Sequence, residues 1–261
     1  VTDFTPAMVA QGYLGLGMQP PLDIIYEDSA LIAVNKPAGQ LFHGYTKGFP
    51  TSLADQVKDY VGKQKQKAGN VYLGICHRLD RPVSGVSVFA RNSKVAARVS
   101  EQFQDRTIEK WYLGYVHGVP AEAAALLEDE LTIPTGKDKT ESKLCRLRYQ
   151  LQWQAAGRSL LAIALETGRR HQIRIQLARR GLILHGDLEY GSPEPFLGTE
   201  MLDHRFRPIA LHAAALQLQH PLRFDPIWIT AVLPRTWTVF DPQMLEAAES
   251  FLARVMQQKA P

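Results

Sequence analysis

Ten residues, His77-Arg78-Leu79-Asp80-Arg81-Pro82-Val83-Ser84-Gly85-Val86, constrain the fold more than any other stretch, because they join two apolar runs. Val71-Tyr72-Leu73-Gly74-Ile75-Cys76 precedes them and Val86-Ser87-Val88-Phe89-Ala90 ends them. Both runs are rich in β-branched and aromatic residues and have strand length. Pro82 and Gly85 mark a turn between them. The expectation is a loop held by a sheet, with Asp80 on it and Arg78 and Arg81 close by. Nearby positive charge favours the ionised form of a carboxylate. Such a group suits a nucleophile or a base acting near neutral pH.

The rest of the chain reads as strands with few helices. Leu22–Tyr26 and Leu31–Asn35 flank Glu27-Asp28-Ser29 as a hairpin, closed by Lys36-Pro37-Ala38-Gly39. Lys36 is open to two readings, a phosphate contact or a solvated lysine closing the turn. Thr51 to Gln66 predicts a helix with Leu53, Val57, Tyr60 and Val61 on its apolar face and Lys58, Lys63, Lys65 and Lys67 on or just beyond its polar side. A second helix starts at Ser93 as N-cap, with Val95, Val99 and Phe103 at four-residue spacing. Ile108–Val116 predicts a strand, placing Lys110, Tyr112, Gly114 and Val116 on one face and Trp111, Leu113 and Tyr115 on the other.

Leu131 to Arg148 carries Lys137, Lys139, Lys143, Arg146 and Arg148 around Pro134 and Gly136. It reads as a flexible basic loop running into a strand, or as a solvated hairpin; a basic loop would track a phosphate backbone. Leu160–Leu165 is a buried strand, and Arg169–Arg180 a helix stopped by Gly181. Pro226–Val232 is a late strand, and Met244–Met256 an amphipathic helix with Leu245, Phe251 and Leu252 inward. This strand-rich pattern predicts an α+β domain with a mixed, mostly antiparallel sheet and flanking helices. One domain spans 1–261, with residues 1–21 as an irregular lead segment.

Composition excludes more than it selects. At 261 residues the chain can bury a large core, and its net charge of +4 favours nucleic acid only weakly. Cys76 and Cys145 stand apart without Cys-x-x-Cys spacing, against a disulfide framework or zinc ribbon and in keeping with a reducing cytoplasm. No apolar run approaches ~20 residues, so no membrane span is expected. The eight histidines are dispersed and His-Glu-x-x-His is absent, so no metal is expected. No glycine-rich nucleotide loop stands between a strand and a helix.

His77-Arg78-Leu79-Asp80-Arg81-Pro82-Val83-Ser84-Gly85 resembles the signature of RluA-type pseudouridine synthases, with Val83 where threonine is usual. The likeness continues through Asn35-Lys36-Pro37-Ala38-Gly39, Lys110-x-Tyr112-x-x-x-Val116-x-Gly118, and Thr167-Gly168-Arg169-Arg170-His171-Gln172-Ile173-Arg174. Further matches are Gly186-Asp187 with Tyr190-Gly191, Leu211-His212-Ala213 and His220-Pro221. Gln176 stands where histidine is frequent.

The resemblance implies an enzyme that isomerises chosen uridines of ribosomal or transfer RNA without a cofactor, in a cleft across the sheet; the short lead segment is expected to leave no room for the separate N-terminal RNA-binding module of some relatives. It makes Asp80 the catalytic residue, sets Tyr112 against the target base rather than simply in the core, and pairs Arg174 with Asp80. His77, Arg78, Arg81, Lys110, Lys143, Arg170 and His171 are the candidate substrate contacts. For His77 and His171 a loop-holding role competes. A flipped-out uridine from an RNA loop is the expected partner, and a monomer the expected state. Two rivals are a metal hydrolase and an inert RNA-binding protein of the same fold.

Overall fold

Alternation along β2 (Leu31–Lys36) decides what covers the sheet. Leu31 and Ala33 enter one buried cluster, Ile32 and Val34 another. The structure, a computed structural model, describes residues 20–45, 51–64, 71–134, 140–196 and 203–257. Most of the lead segment lies outside them, as do Lys65, Lys67, Gly136, Lys137 and Lys139. Helix α1 (Leu53–Gln64) lays Leu53, Val57 and Val61 on the Ile32 side. Helix α2 (Ser93–Gln104) lays Val95 and Val99 on the Leu31 side.

The same division holds across β5 (Glu109–His117). Tyr112 and Val116 join the cluster of helix α3 (Gln172–Ala178), through Ile173 and Leu177. Trp111, Leu113 and Tyr115 pack with helix α4 (Pro242–Gln257), through Met244, Ala248, Phe251, Leu252 and Val255. Tyr112 also packs against the α1 cluster, so α1 and α3 cover the same side of the sheet.

The remaining strands are β1 (Ile24–Glu27), β3 (Gly74–Ile75), β4 (Ser84–Ala90), β6 (Ala124–Pro134), β7 (Thr140–Ala155), β8 (Arg158–Leu165), β9 (Ile183–Leu184), β10 (Leu211–Gln219) and β11 (Pro226–Thr230). The main sheet order is β1-β2-β4-β10-β5-β8-β7-β6, with β3 on β4, β9 on β5 and β11 on β10. The β4–β10 pair is parallel, through His212↔Ser84 and Ala213↔Gly85, and the other described pairs are antiparallel. The expected α+β class and mixed, mostly antiparallel sheet are what the chain forms.

Several local expectations change. The 71–76 run pairs only at Gly74 and Ile75, because the His77 ring takes the next available amide of β4, Val88 N–H, at 2.9 Å. Helix α2 is capped by Asn92, not Ser93: the Asn92 side chain accepts from Val95 N–H at 2.9 Å. Helix α3 begins at Gln172 rather than Arg169, because His171 is left-handed at φ 55°. Of the two readings of the Leu131–Arg148 stretch, the hairpin replaces the basic loop among the described residues: β6 and β7 form a two-stranded ribbon, with Leu131↔Lys143 and Leu126↔Arg148 in register.

Gly85 carries the turn into β4. Its φ is +116°, and a Cβ there would lie 2.2 Å from the Ala213 carbonyl oxygen. Gly157, at φ +73°, has open space instead. Gly85→Ala should therefore destabilise the protein by at least about 3 kcal/mol in urea denaturation, whereas Gly157→Ala should cost about 1 kcal/mol from backbone strain alone.

Candidate active site

The Asp80 loop is pinned from three strands. Below it lies Lys36, fully buried, whose Nζ donates to the carbonyls of Pro37 (2.9 Å), Arg81 (3.0 Å) and Val83 (2.7 Å). Burial, opposed by the Asp80 charge, pushes this ammonium down to about 7. Both earlier readings of Lys36 give way to burial: its ammonium is enclosed and its donors are taken by backbone carbonyls, leaving none for solvent or phosphate. From β4, His77 Nε2 holds Val88 N–H while its ring stacks on Phe103 at 4.9 Å. From β10, buried His212 bonds Ser84 Oγ through Nδ1 (2.9 Å) and the Ala231 carbonyl through Nε2 (3.2 Å). Ile209 N–H donates to the Pro82 carbonyl at 3.2 Å.

Facing the loop is the turn before α3. Gln172 is buried and ties this turn: its Oε1 accepts from Thr167 Oγ1 (2.8 Å) and Arg169 N–H (3.1 Å), and its Nε2 donates to the Arg146 carbonyl (3.1 Å). The turn delivers His171, whose Nε2 lies 3.7 Å from Asp80 Oδ2 and whose Nδ1 lies 2.9 Å from Tyr190 Oη. Burial lowers His171 below its usual value, against the pull of Asp80.

Arg174 does not pair with Asp80. Its Nε and Nη2 grip Asp187 Oδ2 and Oδ1 at 2.7 and 2.6 Å, Nη2 also reaches Glu189 Oε2 at 2.8 Å, and its guanidinium lies 4.7 Å from the Tyr190 ring centre. The Asp187 carboxylate presents two oxygens to the planar fork, and that geometry wins. Asp187, met in the sequence only as part of a further family match, and Glu189, not singled out there, are thus site residues. An arginine facing a Gly-Asp-x-Glu turn was the available signal.

Asp80 stands where two cavities meet, of roughly 820 and 650 Å³. Arg78, Arg170, His171 and Arg174 line both with it. Arg81 lines the larger; His77, Lys110 and Tyr112 line the smaller. Tyr112 is raised above its usual value, by burial and then by the Asp80 charge, so its hydroxyl stays neutral. Burial, and then Arg106, lowers Lys110 to about 8. Lys143 is not brought to the site. It lies on β7, paired with Glu141 at 2.6 Å, and lines neither cavity. Arg146 and Arg148 on the same ribbon are held by Glu128 and Glu166.

A model of the RNA pseudouridylate synthase family matches residues 30–179. The chain belongs to that family. The matched span holds the Asp80 loop, the β5 face and the turn before α3. Among relatives of this synthase are a tRNA pseudouridine synthase C of Haemophilus ducreyi, 32% identical over 83% of this chain and 93% of its own length. Another is a ribosomal large subunit pseudouridine synthase D of Zymomonas mobilis, 29% identical over 82% and 70%. The fold is that of human RNA pseudouridylate synthase domain containing 4, with TM-score 0.66 at 22% identity over 92% of this chain and 97% of that one.

Two histidines around the loop, half-buried His77 and fully buried His212, set a pH dependence of this synthase. Burial lowers both His77, with Lys110 adding to the effect, and His212 to about 4, from an ordinary 6.5. The unfolded chain therefore takes up these protons first. Stability is full above about pH 6.5 and falls as pH drops toward 4, by roughly 3 kcal/mol for each histidine. Urea denaturation between pH 7 and 4.5 should show this loss, and His77→Gln should flatten the slope. An unchanged slope in that variant would show that His77 is not held neutral.

Proposed function

We propose that this synthase converts selected uridines of ribosomal or transfer RNA to pseudouridine, with Asp80 as the reacting carboxylate. The observation that carries the reading is the position of Asp80 at the junction of two cavities lined by arginine and, on one side, by Tyr112. The names of the relatives, which specify transfer RNA or the large ribosomal subunit, support the substrate class.

The reaction breaks the bond from uracil N1 to ribose C1′, turns the base, and joins C5 to C1′. A proton leaves C5 and one is gained at N1, so atoms balance with no redox partner or second substrate. Asp80 serves this either by attacking C1′ or by taking the proton of C2′. Tyr112 offers a flat neutral face for the base. A uridine inside a duplex cannot enter such a pocket, so the target nucleotide is flipped out, from an RNA loop. Exposed Arg78 and Arg170 line both cavities and have no carboxylate within ion-pair distance among the described residues, which suits them to phosphate. All these side chains come from one chain, so a monomer suffices, acting in the cytoplasm where its RNA is.

Asp80→Asn keeps the size of the side chain and removes its charge. Pseudouridine formation should fall below detection, while RNA binding stays within about tenfold, or ~1.4 kcal/mol. Turnover near the parental rate in the folded variant would remove Asp80 from the chemistry. A second comparison separates the basic groups. Arg78→Glu with Arg170→Glu should weaken RNA binding and flatten its salt dependence by the loss of about two phosphate contacts, whereas Lys143→Glu should leave the salt slope unchanged.

A further inference from the structure

We propose that His117, His185 and Glu194 form a zinc site that staples the Asp187 turn to β5. The three ligand atoms already converge. His185 Nδ1 lies 3.2 Å from His117 Nε2 and 3.6 Å from Glu194 Oε1, and His117 Nε2 lies 4.0 Å from Glu194 Oε1. A point equidistant from atoms so spaced is about 2.1 Å from each, the length of Zn–N and Zn–O bonds. Two imidazoles and one carboxylate are a zinc donor set, with the fourth position left to water.

The second observation is the state of His185. Its ring is buried among Tyr115, Phe196 and Phe240, all in edge contact or close to it. Its Nε2 is buried with no hydrogen-bond partner among the described residues. A proton on Nε2 faces these ring systems at little cost, and Nδ1 is then a lone pair aimed at His117 and Glu194.

Arg158 donates to Glu194 Oε1 at 2.8 Å. It orients the carboxylate as a hydrogen-bonded outer partner would, and its charge opposes a cation, so it limits affinity. The three ligands line neither cavity that contains Asp80, which assigns the metal to structure rather than to the isomerisation. His185 and Glu194 bracket the turn that carries Asp187, the carboxylate gripped by Arg174. Fixing both ends of this turn to His117 on β5 would immobilise the support of Arg174.

The experiment uses purified full-length protein stripped with EDTA and titrated with zinc chloride, read by calorimetry and by thermal unfolding. One equivalent should bind with micromolar affinity or better and raise Tm. His117→Gln and Glu194→Gln alter half-buried and exposed side chains rather than the core. Each should weaken zinc binding by at least about tenfold and abolish the Tm shift. Arg158→Gln should bind zinc at least as tightly as the parent. Cobalt(II) should give the intense visible bands of a four-coordinate site in the parent and lose them in both ligand variants. Zinc affinity that survives both His117→Gln and Glu194→Gln, or no saturable binding at all, overturns the site.

Discussion

The ammonium of Lys36 is the fixed point of the structure. Burying such a charge costs several kcal/mol even after relaxation, and it is tolerated only where its donors are met. Here three carbonyls meet them, two from the Asp80 loop itself and one from Pro37. The end of β2 and the loop before β4 are therefore bound to one atom. The chain around Asp80 is shaped by this inward-facing backbone, while Arg78 remains exposed on the outer side. Asp80 opposes the loss of charge on Lys36, so the two groups are electrostatically linked through the loop.

The sheet supplies the second constraint. Its two halves join through the parallel β4–β10 pair, and β5 follows directly. The α1 and α3 clusters cover the same side on either half, and Tyr112 touches both. A gap between two helix-covered halves is where a sheet leaves room for a ligand, and the loop, the β5 face and the turn before α3 all reach it. Arginine is distributed accordingly. Arg174 holds a carboxylate that belongs to the frame, whereas Arg78 and Arg170 face open space.

Motif residues and strand faces were legible in the sequence because they depend on local order. The alternation of β5 put Lys110 and Tyr112 together, and the short signature around Asp80 placed the turn. Pairings across the chain were not legible. Nothing local says that Lys36 turns inward, since a lysine after a strand is usually solvated. The ion pair of Arg174 went to Asp187, thirteen residues on, because a turn not visible as a regular element brought it there. The basic stretch from Leu131 to Arg148 looked free because charge was counted along the chain. In the ribbon, opposite charges sit across and beside one another, with Arg146 and Arg148 on Glu128 and Glu166. Helix α3 lost its first turn at the left-handed His171, and the Gln172 side chain instead ties the turn to Arg169 N–H and to the Arg146 carbonyl on β7.

His171 adopts a backbone conformation that glycine or asparagine would hold more comfortably. The strain is on the order of 1–3 kcal/mol, in a protein whose whole folding free energy is only several times larger. Selection for heat resistance alone would exchange this residue, and the gain would be real. The imidazole 3.7 Å from Asp80 would be lost with it. Variants drawn from a screen for stability should therefore collect at position 171 unless RNA modification is scored in parallel, and the split between the two screens would measure how much folding energy the site holds in reserve.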